Sequence, residues 1–297
     1  MQSVRVAAVS MNGGLGQPEQ SLTEMERWCG SAKDQGTDLV LFPELVIHGH
    51  CTPNTFELAE SVPNGPSVRR LERIAHDHQL ILSAGLSEKE DDLVYNTQVI
   101  IGPDGYIGKQ RKIHLSRDEE NFYKGGKDLP VFDLGKCRIG IVICYDNMLP
   151  EVGRLVALGG AEVILAPHAA RMKMWDDTAA SQASARRFTY DYFLEYKMRA
   201  RENACFYVVA DQAGRAGNVD TYPPNSPSQP HHAGGAIILG PEAQILTESQ
   251  TQQIKEEMVV AELDPSDLNH ARALPNYTLR TRRPELFGPL VVNQVKS

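Results

Sequence analysis

Residues 138–151 read Arg-Ile-Gly-Ile-Val-Ile-Cys-Tyr-Asp-Asn-Met-Leu-Pro-Glu, and the fold turns on how this stretch is read. Ile139 to Ile143 is a short, nearly all-apolar run rich in β-branched residues, the pattern of a strand buried on both faces. The chemistry then changes abruptly to Cys144, Tyr145, Asp146 and Asn147, and Pro150-Glu151 suits the first turn of a helix. A cysteine at the tip of a central strand, in the turn before a helix, is held rigidly and faces a cleft. Backbone N–H groups of such a turn can receive a developing negative charge. Taken alone, the stretch equally describes a small buried hydrophobe, which is what most free cysteines are. A nucleophile would need a base and a cation from elsewhere in the chain.

Outward from this strand the order is regular. Val4–Val9, Asp38–Phe42, Leu80–Leu86, Tyr95–Ile101 and Tyr106–Lys112 read as strands on the N-terminal side, with helices over 17–35 and 66–78. Ser21 and Glu24 have the spacing of a capping box for the first helix. On the C-terminal side, Pro150–Gly159 and Ser181–Asn203 read as helices, and Val163–Ala166, Phe206–Ala210, Ala236–Leu239, Gln244–Thr247 and Met258–Leu263 as strands. Two segments echo each other across the chain. Leu-Val-Leu-Phe-Pro-Glu (39–44) is similar to Val-Ile-Leu-Ala-Pro-His (163–168), and Val-Ile-Ile-Gly-Pro-Asp-Gly (99–105) to Ile-Ile-Leu-Gly-Pro-Glu-Ala (237–243). Two like halves of mixed order predict an α/β fold with two sheets face to face and helices outside, a four-layer α-β-β-α sandwich. No interdomain linker is visible, so one domain is expected over 1–297, with a tail of little periodicity over 265–297. Residues 168–180 and 223–230 are expected to be loops that shape a pocket.

Composition narrows the function class. With 41% hydrophobic and 23% charged residues, the chain has the make-up of a soluble globular protein. A net charge of −8 speaks against a nucleic-acid surface. No apolar run is long enough to span a bilayer, and no signal peptide precedes the first strand, so a cytoplasmic protein with no membrane partner is expected. Cys29, Cys51, Cys137, Cys144 and Cys205 are scattered, with no C-x-x-C pair to suggest zinc, and fit a reducing compartment.

Glu44, Lys112 and Cys144 each follow a strand, and strand ends on one side of a sheet converge on one cleft. A cysteine hydrolase needs a base for the thiol proton and positive charge where a carbonyl oxygen becomes an oxyanion. The motifs around these residues are Phe-Pro-Glu-Leu (42–45), Arg-Lys-Ile-His-Leu (111–115), Cys-Tyr-Asp-x-x-x-Pro-Glu (144–151) and Arg-Ala-x-Glu-Asn (199–203). Together, in this order, they resemble the nitrilase, or carbon–nitrogen hydrolase, superfamily, over residues 4 to about 263.

The resemblance implies the α-β-β-α sandwich again. It also implies Cys144 as nucleophile, Glu44 as general base, Lys112 as the oxyanion-stabilising cation and the Tyr145 backbone N–H as a second oxyanion donor. Amidases of the family carry another glutamate in the loop after the lysine, and spacing to Phe122, Tyr123, Gly125 and Gly126 favours Glu120 over Glu119. His168 and Arg171, at the opposite strand tip, are candidate pocket residues. His114, Asp146, Arg199, Glu202 and Asn203 are expected to hold the fold. The implied function is hydrolysis of a small amide or N-carbamoyl compound with release of ammonia, with neither metal nor organic cofactor, by a homodimer or larger homo-oligomer. Two alternatives stay open. One is a nitrilase proper, although those enzymes tend to have Trp-Glu where this chain has Tyr145-Asp146. The other is a non-catalytic or redox-sensing thiol protein. Asn147 and Met148 stand where family enzymes acting on N-carbamoyl-D-amino acids carry arginines, so a carboxylate clamp would fall to Arg171. Asp176 and Asp177 offer an alternative reader for an amine, and equally describe a solvated pair of loop acids.

Overall fold

The structure, a computed structural model, describes residues 1–172, 178–217, 230–249 and 254–291. Trp175, Asp176 and Asp177, and all but the last residue of the 223–230 loop, lie outside the described residues. In chain order the elements are β1 (Val4–Ser10), α1 (Pro18–Asp34), β2 (Leu39–Leu41), α2 (Thr55–Leu58), α3 (Pro66–His78), β3 (Ile81–Glu90), β4 (Leu93–Gly102) and β5 (Gly105–Arg111). There follow β6 (Val131–Asp133), β7 (Arg138–Ile141), α4 (Pro150–Leu158), β8 (Val163–His168), β9 (Arg171–Met172), α5 (Ala179–Asn203), β10 (Phe206–Asp211) and β11 (Ala213–Arg215). Last come β12 (His231–Ala233), β13 (Ala236–Leu239), β14 (Ile245–Glu248), β15 (Glu257–Leu263), α6 (Pro265–Ala273) and α7 (Thr278–Thr281).

Two six-stranded sheets form, in the orders β15-β1-β2-β3-β4-β5 and β14-β13-β10-β8-β7-β6. Their pairings correspond strand for strand. Parallel neighbours β1-β2-β3 match β7-β8-β10, and the antiparallel run β3-β4-β5 matches β10-β13-β14. Each core is flanked by one further antiparallel strand, β15 or β6. The echo between residues 39–44 and 163–168 is therefore an echo of whole half-sheets.

Side-chain alternation explains the layering. In β1, Val6 and Ala8 face the second sheet, while Ala7 and Val9 face the helices. In β10, Phe206 and Val208 point inward, and Tyr207 and Val209 outward. The outward set of the first sheet packs on α1 and α3 through Leu22, Met25, Leu71 and Ile74. That of the second packs on α4 and α5 through Val156, Tyr196 and Ala200. The result is the expected four-layer α-β-β-α sandwich, and among the described residues no helix is long and apolar enough to cross a membrane.

Two local expectations are corrected. The first helix starts at Pro18 with Gln17 as its N-cap, one turn before the supposed Ser21–Glu24 box. Ser21 Oγ instead accepts the Gly14 N–H at 2.9 Å, and Glu24 pairs with Arg27 at 2.8 Å. Proline at the first helical position loses no hydrogen bond there, and this outweighed the box. The tail carries a helix, α6, capped by the Asp264 side chain and burying only Leu268 and Ala271. So few apolar positions leave no periodicity to read.

β3 passes beneath the segment that carries Glu44 with almost no clearance. A Cβ on Gly85 would collide with the Leu45 nitrogen and lie 2.8 Å from the Glu44 carbonyl carbon. Gly85→Ala is therefore expected to cost about 1–3 kcal/mol by overpacking. Urea unfolding measures this, and an unchanged midpoint would show that the Glu44 segment moves aside freely.

Candidate active site

The strand ends do converge. Glu44 follows β2, Lys112 follows β5, and Cys144 follows β7. The Glu44 and Lys112 side chains are fully buried, at 0% exposure each. Lys112 Nζ donates to Glu44 Oε1 at 2.7 Å and to both oxygens of Glu119, at 2.8 and 2.7 Å. It is Glu119, and not Glu120, that enters the site, while Glu120 is exposed on the outside of the loop. The cause is a capping box. Ser116 caps a short 3₁₀ turn over Arg117–Asn121, and Glu119 Oε2 accepts both its N–H, at 2.8 Å, and its Oγ, at 2.7 Å. Glu119 is thus folded back toward Lys112, and its neighbour one position on is rotated a third of a turn away.

Asn96 of β4 was missed from the sequence. Its Nδ2 donates to Glu44 Oε1 at 2.7 Å and to Glu119 Oε1 at 3.1 Å. His50 Nε2 lies 3.4 Å from Glu119 Oε1 and was also missed. No sequence signal marks either one: Asn96 sits in an ordinary alternating strand, and His50 in an irregular loop. Glu44, His50 and Glu119 offer ligand atoms within 4.8 Å of one another, the disposition of a small cation site. The Lys112 ammonium, 2.7 Å from an oxygen of each carboxylate, is the cation that occupies it.

Charge and burial set the protonation states. Burial alone would strip the proton from Lys112, but Cys144 where it is ionised, and the carboxylates Glu44 and Glu119, reverse this and hold its pKa well above the ordinary lysine value. Burial would likewise raise Glu119, and Lys112 and His50 instead keep it well below the usual carboxylate range. The Cys144 thiol is pushed well up, first by burial and then by Glu44, while Lys112 pulls the other way. The resting sulfur therefore keeps its proton at neutral pH.

Cys144 itself lies in the left-handed region, φ 48°, at the abrupt turn from strand to 3₁₀ helix. A non-glycine residue there is strained, and the surroundings have to hold it. Asn147 Nδ2 donates to the Val142 carbonyl at 2.9 Å and to that of Cys144 at 3.1 Å, while its Oδ1 accepts from Tyr207 at 2.8 Å. Arg199 Nε donates to the Asn147 carbonyl at 2.9 Å. Asp146 accepts the N–H groups of Ile113, at 3.1 Å, and His114, at 2.8 Å, and so ties the segment after Lys112 to the cysteine turn. Tyr145 is the second residue of that turn, where N–H groups have no partner within the helix.

Above Cys144 opens a pocket of about 360 Å³, lined among the described residues by Cys144, Tyr145, His168, Arg171, His50 and Met148, with Leu115, Ser116, Ala169 and Ala170 completing it. Tyr145, His168 and Arg171 are thus brought together. His168 Nδ1 lies 3.2 Å from the Tyr196 hydroxyl, and burial first, then Lys112, lowers its pKa to about 3, so it is neutral. The pocket wall at Ala170 is pinned by Asp211 Oδ1, which accepts the Ala170 N–H at 3.0 Å.

A family model described as carbon–nitrogen hydrolase matches residues 5–273. A nitrilase of Pyrococcus abyssi is 34% identical over 265 residues, covering 88% of this chain and 90% of that protein. An N-carbamoylputrescine amidase of Arabidopsis thaliana is 27% identical over 277 residues, covering 90% of this chain and 88% of that protein. The crystal structure of a carbon–nitrogen hydrolase from Helicobacter pylori superposes with a TM-score of 0.86 at 20% identity, over 99% of this chain and 100% of that one, and shares its fold.

The two neighbouring glutamates should part company on substitution. Glu119→Gln removes one of two charges opposing a buried ammonium and is expected to cost about 3 kcal/mol at pH 7. Because the folded-state pKa of Glu119 is depressed, its stabilisation is present above the unfolded value of about 4.3 and fades as pH falls below it. The gap between wild type and variant should therefore narrow in acid. Glu120→Gln should change nothing. Denaturant unfolding of the three proteins at pH 7 and pH 4 tests this, and equal stability of the two variants would contradict it.

Proposed function

Because the chain belongs to the carbon–nitrogen hydrolase family, we propose that it is an amidohydrolase cleaving a non-peptide C–N bond of a small amide or N-carbamoyl compound through a thioester on Cys144. The observation that carries this reading is the Lys112 ammonium, buried between Glu44 and Glu119 beneath a strained cysteine at the pocket floor. The Cys144 sulfur attacks the carbonyl carbon as Glu44 takes the thiol proton. Lys112 and the Tyr145 N–H stabilise the negative charge that forms on the carbonyl oxygen. Glu44 returns the proton to the nitrogen, the C–N bond breaks, and ammonia leaves. Water then attacks the thioester, giving its proton to Glu44. The C–S bond breaks as Glu44 returns that proton to the sulfur, the acid departs and the thiol is restored. Glu119 touches no reacting atom in this scheme and serves to hold Lys112. His168 and Arg171 line the substrate's far end, and a pocket of about 360 Å³ fits a small molecule and not a polymer.

A nitrile substrate is the second reading, favoured by the name of the Pyrococcus abyssi relative. The same thiol would add to the nitrile carbon and, after two waters, release the same acid and ammonia. An ammonia-release panel of simple amides, N-carbamoyl compounds and nitriles separates the two, with the amide and carbamoyl arms expected to respond. Mass spectrometry of enzyme quenched during turnover should place an acyl adduct on Cys144 and on none of Cys29, Cys51, Cys137 or Cys205, which are buried. Cys144→Ala should abolish turnover and leave the fold intact. An adduct on another cysteine, or an active Cys144→Ala enzyme, would overturn the mechanism.

Association into a homodimer or larger homo-oligomer belongs to the same proposal. Leu155 and Leu158 on α4, and Leu194 and Met198 on α5, are exposed, and packed helices that leave such side chains in water favour a partner. Sedimentation at micromolar concentration should give a species of at least twice the 32.8 kDa chain mass, and a monomer there would refute the proposal.

A further inference from the structure

The two oxygens of Glu44 are not equivalent. Oε1 accepts Lys112 Nζ and Asn96 Nδ2, each at 2.7 Å. Oε2 is buried and has no hydrogen-bond partner. A buried carboxylate oxygen without a donor is costly, and its persistence calls for an explanation. Asn96 is itself 1% exposed, and its one amide nitrogen reaches both Glu44 and Glu119. Its backbone carbonyl accepts the Lys112 N–H at 2.8 Å, so one residue fixes the base, the second carboxylate and the main chain of the cation. The Glu44 main chain is held independently, by Gln212 Nε2 donating to its carbonyl at 2.6 Å. With the backbone fixed by Gln212 and Oε1 fixed by two donors, the carboxylate has no rotation left. Oε2 is then the oxygen of Glu44 left without a protein donor.

We propose that Asn96 is a positioning residue for the base: by occupying Oε1 together with Lys112, it dedicates Glu44 Oε2 to carrying the proton between Cys144, the leaving nitrogen and the hydrolytic water. This rests on the proposed amidohydrolase reading and adds a division of labour within the base. Without Asn96, Oε1 keeps only the ammonium, the carboxylate can rotate about its last bond, and the proton-carrying oxygen is no longer held in line. The loss falls on both half-reactions and spares substrate binding, because Asn96 is not among the residues lining the pocket.

The test is a double-mutant cycle on an amide that the wild-type enzyme hydrolyses. Asn96→Leu, which fills the space and admits no water, should lower kcat at least about tenfold, with KM changed less than threefold. In a Glu44→Gln background the same substitution should cost almost nothing further, since there is no base left to orient. Asn96→Ser, whose hydroxyl is too short to bridge both carboxylates, should show the same pattern and serves if the leucine variant does not fold. Purely structural damage would instead lower kcat by the same factor in both backgrounds, and that result overturns the inference, as does a wild-type kcat in a folded Asn96 variant. A wild-type enzyme that hydrolyses nothing on the panel would strike at the proposed function, and the inference would fall with it. An active wild type with an additive cycle would refute the role of Asn96 alone.

Discussion

The site depends on a single ammonium with two carboxylates. Lys112 is wholly buried, and a lone ammonium at such depth would surrender its proton. Glu44 and Glu119, both at 0% exposure, keep it charged. The converse holds for Glu119, which Lys112 and His50 keep ionised against its burial. Burying ions in this way seldom stabilises a fold relative to apolar packing, because desolvation is so costly. The cost is tempered by neutral donors, Asn96 on the two carboxylates and Ser116 on Glu119. A buried polar network of this kind is worth keeping only when it is nearly complete, and the conspicuous exception is Glu44 Oε2.

The network also spans both halves of the molecule. Glu44, Asn96 and Lys112 come from the first sheet, Cys144 from the second. Two tethers hold the halves in register at this point. Asp146, behind the cysteine, accepts the N–H groups of Ile113 and His114 just beyond Lys112. Gln212, after β10, donates to the Glu44 carbonyl across 168 residues of sequence. The inter-sheet core supplies apolar burial between the sheets but is indifferent to slips of a fraction of an ångström. The two polar tethers are directional and fix the placement of Cys144 relative to Glu44.

Much of this was legible in the residues, and the reasons for the exceptions are physical. The strand ends carrying Glu44, Lys112 and Cys144 are marked by abrupt changes from apolar to polar, and the half-sheet repeat by matched Pro-Glu and Pro-His endings. The acid of the loop was misassigned, though its signal was present. Ser116-x-x-Glu119 is a capping box in plain sequence, and a box turns its acid back toward its own N-terminus. Family spacing pointed one residue further, to Glu120, and a shift of one residue in a 3₁₀ turn exchanges buried for exposed. The supposed box at Ser21 failed because Pro18 was the stronger start signal. Asn96 could not have been found in this way, since its role comes from three strands meeting, and a lone asparagine in a strand carries no pattern.

The state of the cysteine bears on what kind of protein this is. A thiol that senses oxidants works as an exposed, low-pKa thiolate. Cys144 is half-buried, and its thiol pKa is shifted the other way. Burial and the Glu44 charge raise its pKa, and Lys112 offsets them only in part. Lys112 acts on the sulfur in the opposite sense, and the rise wins. In the proposed mechanism Cys144 is thus stored protonated, and it becomes a thiolate only as the attack transfers the proton to Glu44. Such an arrangement protects the sulfur from adventitious oxidation while an oriented carbonyl is absent. It also demands that the base be aimed accurately, since proton transfer and bond formation must coincide. A non-catalytic thiol would gain nothing from a buried, donor-fixed carboxylate at its side.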